Sequence, residues 1–175
     1  MEKTANIYLT IDISEVQITE DHKLVKTPQL DFAHQILYSL NKTSLWQYGK
    51  IHAYLEASRI MIEISPALSI PSSLKEFRHL IKDVMTGQEV KAGNLNLLKI
   101  RTDSPVFPKT RYMVDPYADK VIEPILLKDE SFLLCLSLKT SAGRNEHVCF
   151  SKYPLAPLNQ CLNIVSALER KANIF

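Results

Sequence analysis

Histidine is the residue type that gains and loses a proton near neutral pH. Among the five histidines of this 175-residue chain, His34 falls within an expected helix, at the edge of its apolar stripe. A hydroxyl-bearing stretch lies far downstream, Leu136-Ser137-Leu138-Lys139-Thr140-Ser141-Ala142-Gly143. Between the two, residues 103–120 interleave cations with rings: Lys109, Arg111, Tyr112, Tyr117 and Lys120. Cations hold phosphates and tyrosines stack on bases, so this stretch suits RNA contact. It equally suits a solvated loop pinned by its aromatics. His22, His52, His79 and His147 are scattered and suggest no constellation.

Other chemistries find no footing. There is no Gly-x-Gly-x-x-Gly, no phosphate-binding loop and no Gly-x-Ser-x-Gly, and four glycines argue against a backbone cradle for phosphates. The three cysteines, Cys135, Cys149 and Cys161, are odd in number and widely spaced. They read as reduced thiols and form neither a disulfide framework nor a zinc site. No metal and no cofactor is expected. A net charge of +2 permits a polyanionic partner without demanding one. No apolar run approaches the ~20 residues of a membrane-spanning helix, and Met1-Glu2-Lys3-Thr4 lacks the form of a signal peptide. A cytoplasmic protein with no membrane partner is expected.

The elements that must position these groups follow from periodicity. Ile7, Leu9, Ile11 and Ile13 alternate as in a half-buried strand. The phase then shifts at Val16 and Ile18, as at a bulge or loop. Thr27-Pro28-Gln29-Leu30-Asp31 opens a helix, and Leu30, Ala33, Leu37 and Leu40 form its apolar stripe with His34 at the edge. Residues 51–57 and 60–64 alternate as two strands around a turn, a single helix being the competing reading. Ser73-Leu74-Lys75-Glu76 is a capping box, followed at helical spacing by Phe77, Leu80, Ile81, Val84 and Met85 and closed by Gly87. The outer face of that helix carries Lys75, Arg78, His79 and Lys82, a pattern that reads first as a solvated surface.

With a strand over 95–102, the order is strand, helix, strand, strand, helix, strand. The expected fold is α+β, with a ferredoxin-like βαββαβ domain over residues 1–102. Residues 103–175 form a second region. It holds the long connector 103–120, an edge strand 121–127 broken by Pro124, a β-hairpin of Phe132–Leu138 with His147–Phe150, and a helix through Leu158, Cys161, Leu162, Val165 and Leu168.

The element order resembles the RAMP superfamily of CRISPR proteins. Tyr8-Leu9-Thr10-Ile11, followed by Phe32-Ala33-His34-Gln35-Ile36-Leu37, resembles its small type I-F-like RNA-processing endoribonucleases. The 136–143 stretch resembles the family's hydroxyl-bearing hairpin. The resemblance implies metal-independent RNA cleavage by the substrate's 2′-hydroxyl, with His34 as acid–base group and Thr140 or Ser141 orienting the ribose. It implies that Lys109, Arg111, Tyr112, Lys139 and Arg144 in the second region hold a CRISPR repeat stem-loop. Other subunits of a CRISPR surveillance complex would be further partners. His34 should then lie within a side chain's reach of Thr140–Ser141. Two readings compete. Phe132–Leu168 also resembles the end of a matrix protein of a negative-strand RNA virus, with Tyr153-Pro154-Leu155-Ala156-Pro157-Leu158 recruiting budding factors. The third is an inactive RNA-binding RAMP subunit.

Overall fold

The computed structural model describes residues 5–128, 130–138 and 147–174. The chain opens with strand β1 (Ile7–Asp12), a small antiparallel pair β2 (Gln17–Ile18) and β3 (Leu24–Val25), helix α1 (Pro28–Leu40) and the short α2 (Ser44–Gln47). The hairpin β4 (Ile51–Glu56) and β5 (Met61–Ile64), helix α3 (Leu74–Met85), β6 (Val90–Ala92) and β7 (Leu95–Arg101) follow. The rest is β8 (Arg111–Val114), a 3-10 turn at Pro124–Leu126, β9 (Phe132–Leu136), β10 (His147–Val148) and α4 (Pro157–Lys171).

Apart from β2 and β3, the strands form one sheet in the order β10-β8-β9-β1-β4-β5-β7-β6. The first five are parallel and the last three antiparallel. Local elements match the expected order, but their pairing overturns the ferredoxin-like arrangement. That arrangement splits each βαβ unit with an intervening strand. Here α1 carries the chain from β1 straight to the adjacent β4, with Ile7 opposite Ile51. The other edge of β1 belongs to β9, from beyond residue 102, so one sheet runs through both predicted regions. The predicted β9–β10 hairpin is also corrected: β10 lies parallel to β8 instead. The connector contains a strand, β8, and the edge strand at 121–127 reduces to one bridge at Val121 before the 3-10 turn.

That bridge explains the departure. Val148 turns its backbone groups to β8, accepting from Asp115 N–H, whereas Cys149 turns its own outward, donating to Lys120 O and accepting from Ile122 N–H. The segment 147–149 is therefore held between β8 and residues 120–122. The β8–β9 connection thus runs from β8 to the far side of this segment before returning to β9, on the same side as β8. Connections of this kind are rare, and hydrophobic periodicity carries no trace of them.

One sheet face carries Ile7, Leu9, Ile11, Ala53, Leu55, Ile62, Leu134 and Val148, all buried. Against it pack all four helices, through Leu30, Ala33, Leu37, Trp46, Phe77, Ile81, Ile164 and Val165. Residues 102–110 cross the opposite face, where Thr110 O accepts from Leu133 N–H and Phe107 meets Tyr8 and Tyr54 edge-on. Among the described residues no helix is long and apolar enough to cross a membrane.

Candidate active site

In open sheets with parallel strands, ligands bind beyond the carboxyl ends of those strands. In this protein the ends of β1, β8 and β9 meet the first turns of α1 and α4. A cleft opens there, lined by Phe32, Met113, Val114, Asp115, Pro116, Tyr117, Ser137, Leu138, His147 and Pro157, and its described walls enclose about 150 Å³. Residues 139–146, which join the lining residues Leu138 and His147, lie outside the described residues.

Polar groups at the floor are cross-linked. Asp12, ending β1, accepts from Ser14 N–H, from Gln29 Nε2 at 3.3 Å and from Ser137 Oγ at 2.9 Å. Gln29, buried in α1, accepts from Glu15 N–H through Oε1 at 2.8 Å and so fixes the turn after β1. At the other end of the cleft, His147 Nδ1 lies 3.4 Å from Asp115 Oδ2, and Asp115 also accepts from Tyr117 N–H. The buried Gln160 of α4 clamps the turn after β10 in the same manner: Oε1 accepts from Phe150 N–H and Nε2 donates to Leu155 O.

Glu56 ends β4 directly opposite Asp12. Desolvation, with the Asp12 carboxylate adding to it, holds its pKa above the ordinary glutamate value. The folded chain then binds this proton more tightly than the unfolded chain, so stability falls as pH rises through the range just above the ordinary carboxylate pKa. Glu56→Gln is expected to raise stability at pH 7 by ~0.5 kcal/mol, a figure discounted for solvent access, and to change nothing at pH 3. Urea unfolding at the two pH values checks this, and equal effects at both would remove Glu56 as the cause.

Of the predicted site residues that the structure describes, His34, Lys109, Arg111 and Tyr112, none lines the cleft. His34 is buried on the far side of α1, where Nε2 lies 2.7 Å from Pro71 O and the ring packs on Phe77 and Tyr38. A carbonyl only accepts, so Nε2 carries the proton. Tyr112 points into the core, edge-on to Phe132 and Phe150. Arg111 begins β8 and Lys109 precedes it on the exposed 102–110 segment. Lys139, Thr140, Ser141 and Arg144 lie outside the described residues. The cysteines are free thiols, and burial pushes Cys161 up to about 12. Sequence reasoning missed Asp115, His147 and Gln160; the only signal for Gln160 was a polar residue on an apolar stripe.

A model of the EMG1/NEP1 methyltransferase family matches residues 2–169. The chain belongs to this family. The Schizosaccharomyces pombe ribosomal RNA small subunit methyltransferase mra1 is 22% identical over 169 residues, covering 79% of this chain and 44% of the relative. The Candida albicans ribosomal RNA small subunit methyltransferase NEP1 is 23% identical over 158 residues, covering 79% of this chain and 59% of the relative. The chain thus spans about half the length of these curated relatives. The crystal structure of Archaeoglobus fulgidus Nep1 bound to S-adenosylhomocysteine matches with a TM-score of 0.73 at 13% identity, over 97% of this chain and 99% of that one. The fold is therefore the Nep1-type, SPOUT-like α/β fold.

Membership in the EMG1/NEP1 family overturns the RAMP resemblance and, with it, the metal-independent endoribonuclease, the CRISPR stem-loop and the surveillance-complex partners. The viral matrix protein and the inactive RAMP subunit fall on the same ground. The resemblance rested on element order, one helix histidine and a hydroxyl-bearing stretch at loose spacing, none of which fixes how the strands pair.

Proposed function

We propose that this chain is an S-adenosylmethionine-dependent RNA methyltransferase acting on small-subunit ribosomal RNA. The observation that carries the reading is the cleft at the carboxyl ends of β1, β8 and β9, in a fold whose archaeal Nep1 representative was solved with S-adenosylhomocysteine. The lining fits such a group in kind. Phe32, Met113, Leu138 and Pro157 offer apolar walls to an adenine ring and a thioether chain, and Ser137, Asp115 and His147 offer hydrogen-bonding partners for hydroxyl and amino groups. S-adenosylmethionine, when bound, supplies an electrophilic methyl group on a sulfonium sulfur. Asp115 adds negative charge that favours a cationic ligand, and His147, oriented through Nδ1, can accept a proton at Nε2.

The RNA has a groove of its own to lie in. Across the first turns of α1, a groove of about 790 Å³ is lined by Thr27, Pro71, Lys75, Arg78, His79 and Lys82 among others. Arg78 is held to Asp31 of α1 at 2.5 Å, and the remaining cations can meet phosphates. The face first read as solvated thus becomes the RNA-contacting face. This role puts the protein where ribosomal subunits are assembled, which in a cell without a nucleus is the cytoplasm.

Isothermal titration with S-adenosylhomocysteine tests the reading, paired with transfer of a labelled methyl group from S-adenosylmethionine to small-subunit RNA. Saturable binding is expected, and Leu138→Arg, an exposed position on the cleft wall, is expected to weaken it at least about tenfold, or 1.4 kcal/mol, with the melting temperature unchanged. A folded wild-type chain that binds neither S-adenosyl compound would sink the proposal.

A further inference from the structure

The sheet face opposite the helices holds a second, separate concavity. It lies over β4, β5 and β7, nearest the start of β4, whereas the cleft lies beyond the carboxyl ends of β1, β8 and β9. His52, Tyr54, Glu63, Ser65, Pro66, Asn96 and Lys99 are among its walls, and it encloses about 260 Å³.

Four observations define what it can take. First, Tyr8 stacks on one face of the His52 ring, with centroids 4.8 Å apart and planes at 22°. Tyr8 belongs to β1, the strand on one side of β4, so the other ring face turns toward β5, where Ser65, Pro66 and Asn96 complete the wall. Second, burial holds the His52 pKa below the usual histidine value, only partly offset by Glu63. The ring is neutral at pH 7 and presents a π face without a charge to desolvate. Third, Tyr54 is 4% exposed and its hydroxyl has no hydrogen-bond partner among the described residues, while Phe107 fixes its ring edge-on at 5.4 Å. Fourth, the rim is polar in both senses. Asn96 brings donor and acceptor, Lys99 a cation, and Glu63 an acceptor held by Arg101 at 3.1 Å.

A ring face to stack on, an unspent phenol, an amide and a carboxylate at the edge, and a cation at the mouth match one ligand chemistry. It is a planar heterocycle with donors and acceptors on its rim, joined to an anionic chain. The volume admits one such ring system. We propose that this cavity binds a single unpaired nucleobase of RNA, stacked on His52 and read at its edge by Tyr54 and Asn96, with Lys99 toward the adjoining phosphate. The site deepens the RNA reading by adding a contact remote from the methyl-donor cleft, and its test needs no methyl donor.

The test is fluorescence anisotropy with labelled homotetrameric oligoribonucleotides of each base, alongside an abasic tetramer of equal charge. Binding of at least one base is expected, with Asn96→Ala and His52→Ala each weakening it at least about fivefold. The abasic tetramer should bind no better to the wild type than the base-bearing one binds to the variants. Asn96 is exposed, so its variant decides the question if His52→Ala folds poorly. Trp46, the only tryptophan, donates its indole N–H to Pro66 O in the cavity wall, and its emission should shift on binding. Equal affinity for the abasic tetramer, an affinity unchanged in Asn96→Ala, or no binding of any tetramer would overturn the proposal. Failure of S-adenosylhomocysteine binding leaves it standing, and its own failure leaves the methyl-donor cleft standing.

Discussion

Gln160→Leu is expected to lower the free energy of unfolding by about 3 kcal/mol. Gln160 is fully buried, and its two side-chain atoms satisfy two backbone groups, Phe150 N–H at 2.7 Å and Leu155 O at 2.9 Å. Leucine keeps much of the volume, so the loss comes from the orphaned groups, at about 1–3 kcal/mol each. Against a total stability of about 5–15 kcal/mol for a domain, that is a large share. The damage should also be directional. The clamped turn leads into Pro157, which lines the cleft, so S-adenosylhomocysteine affinity should fall in the fraction that stays folded. Gln160→Glu keeps an acceptor for Phe150 but loses the donor to Leu155, and should fall between wild type and leucine. Urea unfolding followed by circular dichroism ranks the three. A leucine variant as stable as wild type would show that the turn holds without its clamp.

How legible such features were depended on the distance over which they act. The helix start is local, and the structure keeps the serine half of the capping box: Ser73 Oγ accepts from Glu76 N–H, and the helix runs from Leu74 to Met85. Gly87 then takes a positive φ of 86° while Gln88 N–H reaches back to Asp83 O. The alternation at 51–64 likewise resolves into β4 and β5 around a turn. Pairing partners are another matter. Nothing in Phe132–Leu136 says that β9 inserts beside β1, and nothing in His147–Val148 says that β10 pairs with β8. Both are long-range pairings that change no local period. The pair lining the cleft was hidden with the topology. Asp115 and His147 are 32 positions apart in sequence and meet only because β8 and β10 are neighbours. The nuclease expectation needed His34 beside Thr140–Ser141, which lie outside the described residues.

His34 supplies the second large effect. His34→Ala is expected to cost about 2–3 kcal/mol of stability, through a cavity beside Phe77 and the loss of the 2.7 Å bond to Pro71 O. Pro71 sits in the loop that delivers the chain to α3, so the histidine pins α1 to the start of its neighbouring helix. An acid–base role predicts the reverse pattern: activity abolished, stability untouched. Its protonated Nε2 is engaged with a carbonyl and the ring is enclosed by Tyr38 and Phe77, which leaves no approach for a substrate. Methyl transfer per folded molecule should therefore survive in the alanine variant, measured at a temperature where circular dichroism reports it folded. His34→Gln can still offer an N–H toward Pro71 and should recover part of the lost stability. Were the folded alanine variant inactive while the glutamine variant regained stability without activity, the histidine would have to act in the chemistry after all. The edge of an apolar stripe is where a helix ties down a neighbouring loop, and the bond to Pro71 favours that role for His34 over the proton transfer that the resemblance implied.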